Sequence, residues 1–591
     1  MKPNINLFRT SSVCGINWEY EEINNNNNIT HLEERFNVSL SIAKIIASRH
    51  PSTKDLNNLI KSSLKENIPN PNILKDLNDA VRLTYFYLKK KKKLGILGDY
   101  DVDGCSSAAL IHNYLNEIDI KTTVYIPNRL ADGYGASKKA IEFFSKNKVE
   151  LLITLDCGTN DYEAIEYAKK KGIETIVIDH HEVKKKANAC YIINPKQNED
   201  KSNLKHLSTV GLCFIFILGL HKKLADEKYF QKNKIPDLRY LLDMVALGTV
   251  CDLVPIKGLN RIFVKKGLSV INKKYNNNGL SLLAKKLNLN NNITENELGY
   301  YLGPCINAAG RIGNAYLGFE LLSNNKKISA IKIVDELIRN NKERRTIEEI
   351  AFRQAIEIIN KEKILSINEN LFILLESKNW HPGIIGIIAS KLLEKYNLPC
   401  FIVSSYGNKS RGSVRTPSYL DTSKLLKKML DMKIILSGGG HKMAGGFVIE
   451  KKNLDKLRDN LILELKKYKI EKNECLFIDA ITDISSINEK FFEDLGILGP
   501  FGVENREPTF VIKNLKPLFY NLIGKKKKHV SCILEDIYGL KINAVAFNAF
   551  ENKIGHTIMK MNNMHVAGKL KINQWKMKKS IQLVISDILT I

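Results

Sequence analysis

The sequence has no two cysteines in a CxxC arrangement, although its ten cysteines are spread from Cys14 to Cys532. This scatter excludes a disulfide framework and a zinc ribbon. The longest apolar run, residues 210–220, is far shorter than the roughly 20 residues that a membrane span requires. The N-terminus lacks an apolar signal core, and neither GxxxxGK[ST] nor HExxH occurs, which argues against a Walker-type ATPase and a zincin protease. We therefore expect a soluble, cytoplasmic protein with no membrane association.

Acidic residues are few relative to basic ones, with 63 Asp and Glu against 90 Lys and Arg, which leaves a formal charge of +27. Such an excess is typical of proteins that bind polyanions. An alternative stays open, because lysine and asparagine crowd stretches such as residues 24–28 and 89–93, and an AT-rich coding sequence would produce the same bias. The composition, 44% hydrophobic and 26% charged, is that of a globular protein. A chain of 591 residues exceeds a single core, and we expect about three or four domains.

Apolar strands alternate with helix-like stretches from residue 94 onwards. LGILG at 94–98, ELLITL at 150–155 and IETIVI at 173–178 are separated by helical patterns near residues 106–116 and 162–171. This alternation predicts an α/β domain with a parallel, doubly wound sheet. In such sheets the ligand crevice lies beyond the carboxyl ends of the strands. Residues 1–88 lack the pattern and are expected to be a helical N-terminal region.

Each of these predicted strands ends in acidic or imidazole side chains. The first strand is followed by Asp99, Asp101 and Asp103, the second by Asp156, and the third by Asp179, His180 and His181. Because the carboxyl ends of parallel strands meet at one edge, we expect these groups to converge, and clustered carboxylates repel unless cations neutralise them. Oxygen and imidazole ligands together suit Mn²⁺ best, with Mg²⁺, Co²⁺ or Zn²⁺ as alternatives. The competing interpretation is an acidic exposed loop in which Asp103 or Ser106 caps the next helix.

Asp252 also follows an apolar run and would complete two metal sites that share a bridging carboxylate. Two metal ions about 4 Å apart are a device for hydrolysing phosphoesters. The sequence therefore predicts a metal-dependent phosphoesterase.

The second half of the chain repeats the α/β pattern. Residues 328–360 predict a long helix that connects two domains. Strands near 370–377 and 399–406 flank a helix at 384–396, and a glycine-rich loop is expected at 437–447. In that loop Gly439 and Gly440 would let a phosphate approach backbone N–H groups while His441 donates a hydrogen bond. A tight turn with an incidental histidine is the alternative.

Two arginines lie among small residues, where a guanidinium could hold a phosphate with two hydrogen bonds. These are Arg311 in NAAGRIG and Arg415 in RGSVRT, and each could equally be an ordinary surface arginine. From about residue 474 the pattern is β-rich with short turns, which predicts a small OB-like β-barrel.

The ordered motifs resemble those of a known family. ILGDYDVDGCSSA, TLDCG, IDHHE and GTVCDLVP resemble the motifs of the DHH phosphoesterase superfamily. With NAAGRIG, WHPGIIGIIASKL, SGGGHKMAGG and LGPFGVENREP they resemble the RecJ family of single-strand-specific 5′→3′ exodeoxyribonucleases. The resemblance covers about residues 90–590. It implies a DHH phosphoesterase domain (89–325), a connecting helix (326–365), an α/β DHHA1 domain (366–470) and a C-terminal OB-fold-like nucleic-acid-binding domain (471–591).

The resemblance also implies roles for single residues. As metal ligands it implies Asp101, Asp103, the bridging Asp156, His180 and Asp252, with Asp99 as a further ligand. It places His181 near the scissile phosphate, with Asp179 supporting the histidines. It implies that Arg311, Arg415, Gly439, Gly440 and His441 bind substrate phosphates.

The expected function is a 5′→3′ exonuclease that uses two Mn²⁺ or Mg²⁺ ions to degrade single-stranded DNA to 5′-mononucleotides in recombination and repair. We expect a monomer that works with a helicase and a single-strand-binding protein. One alternative is a DHH/DHHA1 phosphodiesterase acting on nanoRNA or cyclic dinucleotides, which would not need the C-terminal β-rich domain. Another is a catalytically dead DNA-binding scaffold, which would not need to keep clustered carboxylates.

Overall fold

The computed structural model describes residues 12–20, 26–49, 63–129, 131–231, 235–273, 278–289, 292–323, 327–367, 371–468, 475–524, 526–575 and 578–591. The strands are β1 (Asn17–Tyr20), β2 (Leu94–Gly98), β3 (Thr122–Tyr125), β4 (Leu151–Leu155), β5 (Glu174–Ile178), β6 (Tyr191–Ile193), β7 (Ile373–Ser377), β8 (Cys400–Tyr406), β9 (Lys409–Arg415), β10 (Ser437–Gly440), β11 (Ala444–Glu450), β12 (Cys475–Ile478), β13 (Ala480–Ile481), β14 (Phe510–Ile523), β15 (His529–Glu535), β16 (Lys541–Ala546), β17 (Met564–Trp575) and β18 (Lys578–Thr590).

The helices are α1 (Asn26–Phe36), α2 (Leu40–Arg49), α3 (Leu64–Asn67), α4 (Leu77–Lys89), α5 (Val102–Glu117), α6 (Lys138–Lys146), α7 (Tyr162–Lys170), α8 (Thr209–Asp226), α9 (Leu242–Cys251), α10 (Gly258–Asn272), α11 (Asn278–Lys286), α12 (Glu295–Glu297), α13 (Gly303–Ile312), α14 (Tyr316–Ser323), α15 (Lys327–Lys361), α16 (Ile364–Ile367), α17 (Ile385–Tyr396), α18 (Thr422–Asp431), α19 (Leu454–Leu465), α20 (Glu489–Leu498) and α21 (Lys553–Met559). A π-turn, Leu298–Leu302, joins α12 to α13. Within the described residues, no helix has the length and apolar character needed to cross a membrane.

The chain forms two compact units. The first contains Met1–Ile68, Pro255–Lys265 and Glu471–Ile591, and the second contains Pro69–Val254 and Lys266–Ile470. The domain boundaries expected at residues 88, 325, 365 and 470 stay predictions.

The second unit contains the expected parallel sheet. Its strand order is β3-β2-β4-β5-β6, and all four neighbouring pairs are parallel. Every residue of β2 and β4 is buried, because a parallel sheet is covered by helices on both faces. The three strands predicted from their apolar runs are confirmed. The sequence reasoning missed β3 and β6, which are short and lie at the two edges.

The long connecting helix is confirmed as α15. Its residues Ala351, Ala355 and Ile359 share a core with α17 and the strands beneath it. The buried indole of Trp380 donates a hydrogen bond to the side-chain oxygen of Gln354 on α15 at 3.1 Å. Helix α15 is thereby fixed to the second sheet of its unit.

That second sheet has the order β10-β11-β9-β8-β7, in which only β7 and β8 are parallel. The expectation of a glycine-rich loop at 437–447 is wrong, because β10 and β11 form an antiparallel hairpin and only residues 441–443 lie between them. Glycine permits the tight pairing at the turn. A β-carbon on Gly440 would lie 2.2 Å from the carbonyl oxygen of Ala444.

The first unit contains the expected C-terminal barrel. Strands β14, β15, β16, β18 and β17 pair in that order, and pairing of β14 with β17 closes the barrel. Helix α1 contributes Ile29 and Leu32, and helix α2 contributes Ile42 and Ile45, to the core that contains Phe510 of the barrel. One element differs from the helical expectation for the N-terminal region: β1 is a strand that pairs in parallel with β12. Its partner lies more than 400 residues away in sequence, beyond the reach of any local pattern.

Candidate metal centre and substrate pocket

The loop between β2 and α5 brings its acids to the carboxyl end of the parallel sheet. Asp101 is the N-cap of α5, and its carboxylate accepts a hydrogen bond from the N–H of Gly104 at 3.0 Å. A β-carbon on Gly104 would lie 2.5 Å from the carbonyl oxygen of Asp99, so only glycine lets the helix start this close to the strand. The cap is therefore Asp101 rather than Asp103 or Ser106.

Asp103 is held by another helix. Its two carboxylate oxygens accept hydrogen bonds from the N–H groups of Thr209 and Val210, at 2.8 and 3.1 Å, at the start of α8. Burial and the charge of Asp101 raise the pKa of Asp103 to about 7. The carboxylate is thus oriented by backbone donors, and no side chain among the described residues forms a salt bridge with it.

Two further carboxylates are buried without adequate partners. Asp99 is fully buried, and neither of its oxygens has a hydrogen-bond partner among the described residues. Asp156 accepts a hydrogen bond from the Thr209 hydroxyl at 2.9 Å through one oxygen, and its other oxygen has no partner there. Burial and the neighbouring acids raise both pKa values well above the ordinary range of an aspartate. Such groups are costly to bury unless a cation lies between them.

His180 and Asp252 complete the cluster. His180 Nε2 lies 3.3 Å from Asp252 Oδ2 and 3.5 Å from Asp156 Oδ1, and neither His180 Nε2 nor Asp252 Oδ2 has a hydrogen-bond partner among the described residues. Burial and the charge of His181 lower the pKa of His180 to about 3, which keeps the imidazole neutral, the form that binds metals.

The donor atoms form three overlapping groups in which all atoms lie within 4.8 Å of one another. The groups are Asp99, Asp101 and Asp156; Asp103, His180 and Asp252; and Asp156, His180 and His181. Asp156 belongs to two of them. The unpaired oxygens, the neutral imidazole and the shared carboxylate fit a pair of divalent cations.

His181 is oriented by Asp179. Its Nδ1 lies 2.8 Å from Asp179 Oδ1, which also accepts the N–H groups of both histidines. Burial would raise the pKa of Asp179, but the hydrogen bond and charge of His181 lower it below its usual range. Burial would lower the pKa of His181, and the interaction with Asp179 raises it instead. The pair therefore resembles an ionised carboxylate that holds a protonatable imidazole in place.

A cavity of about 790 Å³ adjoins the cluster and is lined by residues from the segments that follow the parallel strands and by residues of the second sheet. Of the predicted phosphate-binding residues, it is lined by Arg415, Gly439, Gly440 and His441, with the ring of His441 5.6 Å from that of His181. Arg311 is not among the lining residues. Its guanidinium donates a hydrogen bond to the carbonyl oxygen of Gly383 at 3.1 Å.

Three arginines lie close together without an acidic partner. Burial and the charges of Arg129, Arg344 and Arg415 lower the pKa of Arg311 to about 10, and burial and Arg129 lower that of Arg415. Within the described part of the chain, no carboxylate forms a salt bridge with Arg129, Arg311 or Arg415. Guanidinium groups that repel one another in a buried place form a site for an anion.

Sequence reasoning missed several cavity residues. Arg129 stacks over the ring of Tyr100, with the guanidinium carbon 5.1 Å from the ring centre, and the Tyr134 hydroxyl donates a hydrogen bond to the carbonyl oxygen of Asp156 at 2.8 Å. Both follow β3, the edge strand that the sequence did not reveal. Had β3 been predicted, the rule that ligands bind beyond strand ends would have pointed to them. Lys184 and Ser413 also line the cavity and carried no signal of their own.

Three family models match successive parts of the chain. Residues 93–249 match the DHH family, N-terminal domain, residues 368–467 the DHHA1 domain, and residues 478–587 the RecJ OB domain. The single-stranded-DNA-specific exonuclease RecJ of Haemophilus influenzae is 31% identical over 558 residues, which cover 92% of this chain and 95% of that protein. The chain belongs to the RecJ family.

Other RecJ proteins are similar to this chain in sequence or in fold. RecJ of Bacillus subtilis is 26% identical and covers 95% of this chain, with 69% of its own length matched. The crystal structure of RecJ in complex with Mn²⁺ from Thermus thermophilus has the same fold, with a TM-score of 0.79 at 24% identity over 97% of this chain and 80% of that one. A crystal structure of exonuclease RecJ bound to manganese has a TM-score of 0.56 at 28% identity, over 67% of this chain and 96% of that one.

Proposed function

We propose that this RecJ-family chain is a 5′→3′ exonuclease that uses two divalent metal ions to degrade single-stranded DNA to 5′-mononucleotides, in DNA recombination and repair. The observation that carries the proposal is the cluster of buried, unneutralised carboxylates around His180, placed beside a cavity that is rich in arginine. Bound cations stabilise buried carboxylates, and a bound phosphate stabilises buried guanidinium groups.

We assign the ligands of two Mn²⁺ or Mg²⁺ ions to the cluster. The ligands would be Asp99, Asp101, Asp103, Asp156, His180 and Asp252, with Asp156 shared between the two ions. Two such ions neutralise charge on the attacked phosphate and lower the pKa of the attacking water. Manganese tolerates this mixture of carboxylate and imidazole ligands, and magnesium prefers oxygen ligands.

We assign to His181 the contact with the scissile phosphate. Asp179 favours the protonated imidazole, because it accepts the Nδ1 hydrogen at 2.8 Å and raises the pKa of the ring. Such an imidazolium donates a hydrogen bond to a phosphate oxygen and stabilises the negative charge that develops there. His441, whose ring lies 5.6 Å from that of His181, would donate a second hydrogen bond to the phosphate.

We assign the 5′ end of the strand to the arginine cluster. Arg129 and Arg415 line the cavity together with Ser413, and helix α17 begins at its edge with Ile385 and Gly386. A helix N-terminus and two guanidinium groups form a site that suits a terminal phosphate better than an internal phosphodiester. An enzyme that holds this end would work from the 5′ terminus.

The alternatives remain testable. A phosphodiesterase acting on nanoRNA or cyclic dinucleotides would not need the C-terminal barrel, on which Phe519 and Phe547 are 54% and 57% exposed. Exposed aromatic rings are typical of surfaces on which single strands stack. A catalytically dead scaffold would not need the complete set of ligands. Action as a monomer in the cytoplasm, with a helicase and a single-strand-binding protein, is part of the proposal.

The test is one degradation assay with 5′- or 3′-labelled oligonucleotides, single- or double-stranded, with Mn²⁺, Mg²⁺ or EDTA. We expect immediate release of the 5′ label as a mononucleotide from single strands, poor cleavage of blunt duplexes and no cleavage in EDTA. Earlier release of the 3′ label would contradict the polarity. Preference for a dinucleotide over a long strand would favour the phosphodiesterase, and binding without cleavage would favour the scaffold.

A further inference from the structure

The mixed sheet of β7–β11 has one face that is only partly covered. Helices α18 and α19 cover the other face, over Val414 and Phe447. Helix α17 covers the first face over Ile402 of β8, and its Gly386 reaches β9, where a β-carbon would lie 3.1 Å from Ser413 Oγ. Side chains alternate along a strand, and the face that α17 leaves bare therefore continues beyond Ser413 onto β11 and β10.

One row of the ladder crosses this bare face. Ile402 pairs with Ser413, Ser413 pairs with Gly446, and Gly446 pairs with Gly439. The last three residues line the cavity beside the metal centre. The row thus begins at Ile402 under α17. Its other three residues are a serine and two glycines, so mostly backbone faces the cavity there.

Most glycines of β9, β10 and β11 are explained by the fold. A β-carbon would lie 2.1 Å from the ring of Phe447 at Gly412, 2.2 Å from a carbonyl oxygen at Gly440, 2.6 Å from Leu426 at Gly445 and 2.8 Å from Ile435 at Gly438. Such distances are shorter than any real contact. At these four positions, packing within the protein explains why the residue is glycine.

Gly446 and Gly439 have no such explanation. The nearest atom to a β-carbon on Gly446 would be the carbonyl oxygen of Gly412 at 3.7 Å, an ordinary contact, and on Gly439 the ammonium of Lys184 at 3.5 Å. Neither residue has a positive φ. Glycine within a strand destabilises it, because it adds conformational entropy to the unfolded chain and packs no side chain. The space above Gly446, and the space at Gly439 up to the Lys184 ammonium, is therefore left open to an occupant of the cavity.

We propose that Gly446 and Gly439 form a floor on which the base of the 5′-terminal nucleotide lies during its removal. This inference rests on the proposed function and adds the subsite for the base of the leaving nucleotide. The cavity of about 790 Å³ is of the size that holds a small-molecule ligand. The two glycines carry no side-chain donor or acceptor for a base edge, which makes the floor itself tolerant of all four bases.

The test substitutes Gly446 by valine, a residue that suits a β-strand and whose side chain would project into the cavity. We expect kcat/KM on single-stranded DNA to fall at least about tenfold, because a displaced nucleotide loses its alignment with the metal centre. On a strand whose 5′-terminal residue is abasic, the loss should shrink to within about threefold. Gly446→Ala should give a smaller loss of kcat/KM, which should again be larger on an ordinary 5′ end than on an abasic one. Gly496→Ala, at a position with no atom within 4 Å, is the control and should leave activity unchanged.

Product inhibition gives a second measurement that does not depend on cleavage of an abasic end. Gly446→Val should weaken inhibition by dAMP and leave inhibition by deoxyribose 5-phosphate unchanged. In the wild-type protein, the four mononucleotides should inhibit within about threefold of one another. The melting temperature of the variant should match that of the wild type, since the nearest atom to a β-carbon at this position, the carbonyl oxygen of Gly412 at 3.7 Å, lies at an ordinary contact distance.

The outcomes separate this inference from the proposed function. A wild-type protein that releases no mononucleotides would contradict the proposed function itself. A wild-type protein that does so, with a Gly446→Val variant as active as its parent or equally impaired on abasic and ordinary ends, would overturn the floor alone.

Discussion

At the scale of single residues, the bridging role of Asp156 gives the sharpest test. Asp156 has a left-handed backbone, with φ of 62°, which asparagine tolerates better than alanine. Asp156→Asn therefore preserves shape while it removes one charge shared by the two proposed metal ions. We expect cleavage to fall by at least about a thousandfold, with affinity for single strands within about twofold of the parent. The measurement pairs mononucleotide release in Mn²⁺ with strand binding in EDTA, and residual cleavage within about tenfold of the parent would remove the bridging assignment.

The pKa values predict how the metal-free protein responds to pH. Burial raises the pKa of Asp252 and Asp156 well above the ordinary range, and that of Asp103 to about 7. The folded chain without metal then binds more protons than the unfolded chain, so its stability falls as pH rises from about 4 towards the raised values. In EDTA we expect the melting temperature to decrease from about pH 5 to about pH 8, and Mn²⁺ to restore it more at the higher pH.

Asp252→Asn provides the matched variant for this titration. Loss of one buried charge should raise the melting temperature in EDTA near pH 8, and loss of one ligand should diminish the stabilisation by Mn²⁺. A stabilisation by Mn²⁺ that does not vary with pH would contradict the link between these carboxylates and the metal.

At the scale of secondary-structure elements, prediction succeeded where a local pattern and a general rule coincide. Strands β2, β4 and β5 are apolar on both faces, and their polar ends had to meet because the sheet is parallel. Helix α15 was predictable because its apolar residues recur with the period of a helix. By contrast, β3 has four partly buried residues and no apolar run, so Arg129 and Tyr134 beyond it were not predicted. The hairpin of β10 and β11 escapes prediction because glycine is rare in strands. The contacts that explain its glycines, such as the carbonyl oxygen of Ala444 at Gly440 and Leu426 at Gly445, are formed only in the folded protein.

The loop after β5 carries a lysine whose position no rule predicted. Lys184 lines the cavity, and its ammonium lies against Gly439, whereas the ammonium of the adjacent Lys185 lies 4.2 Å from the ring centre of Tyr162. Lys184→Ala should weaken binding of single strands and reduce the slope of log affinity against log salt by about 0.7, the effect of leaving one phosphate without its cation. Lys185→Ala is the matched control and should leave the slope unchanged. Equal slopes for both variants would place Lys184 outside the path of the strand.

At the scale of the whole molecule, the structure changes how the barrel is best tested. The N-terminal helices and the barrel share one core, in which Ile42 and Ile45 lie with Phe510. Removal of residues 471–591 would expose that core, and an inactive product would then report misfolding rather than weaker binding of DNA. The sequence could not reveal this sharing, because the two segments lie at opposite ends of the chain. Substitution at the barrel surface is therefore the informative experiment.

The lysine run before β15 decides how much of the basic charge serves DNA binding. Lys526, Lys527 and Lys528 are exposed next to β15, and Lys525 lies outside the described residues. If the run binds a strand, replacing these three lysines by alanine should reduce the salt slope of single-strand binding by up to about 0.7 for each phosphate that is no longer neutralised, and should reduce processivity on long strands. The metal centre is untouched, so cleavage of short oligonucleotides should continue at the parental rate. The matched control replaces Lys89, Lys90 and Lys91, three lysines at the end of α4, and should alter neither slope nor processivity. An unchanged slope in the first variant would assign the run to codon bias, because a lysine that meets no phosphate releases no counterion.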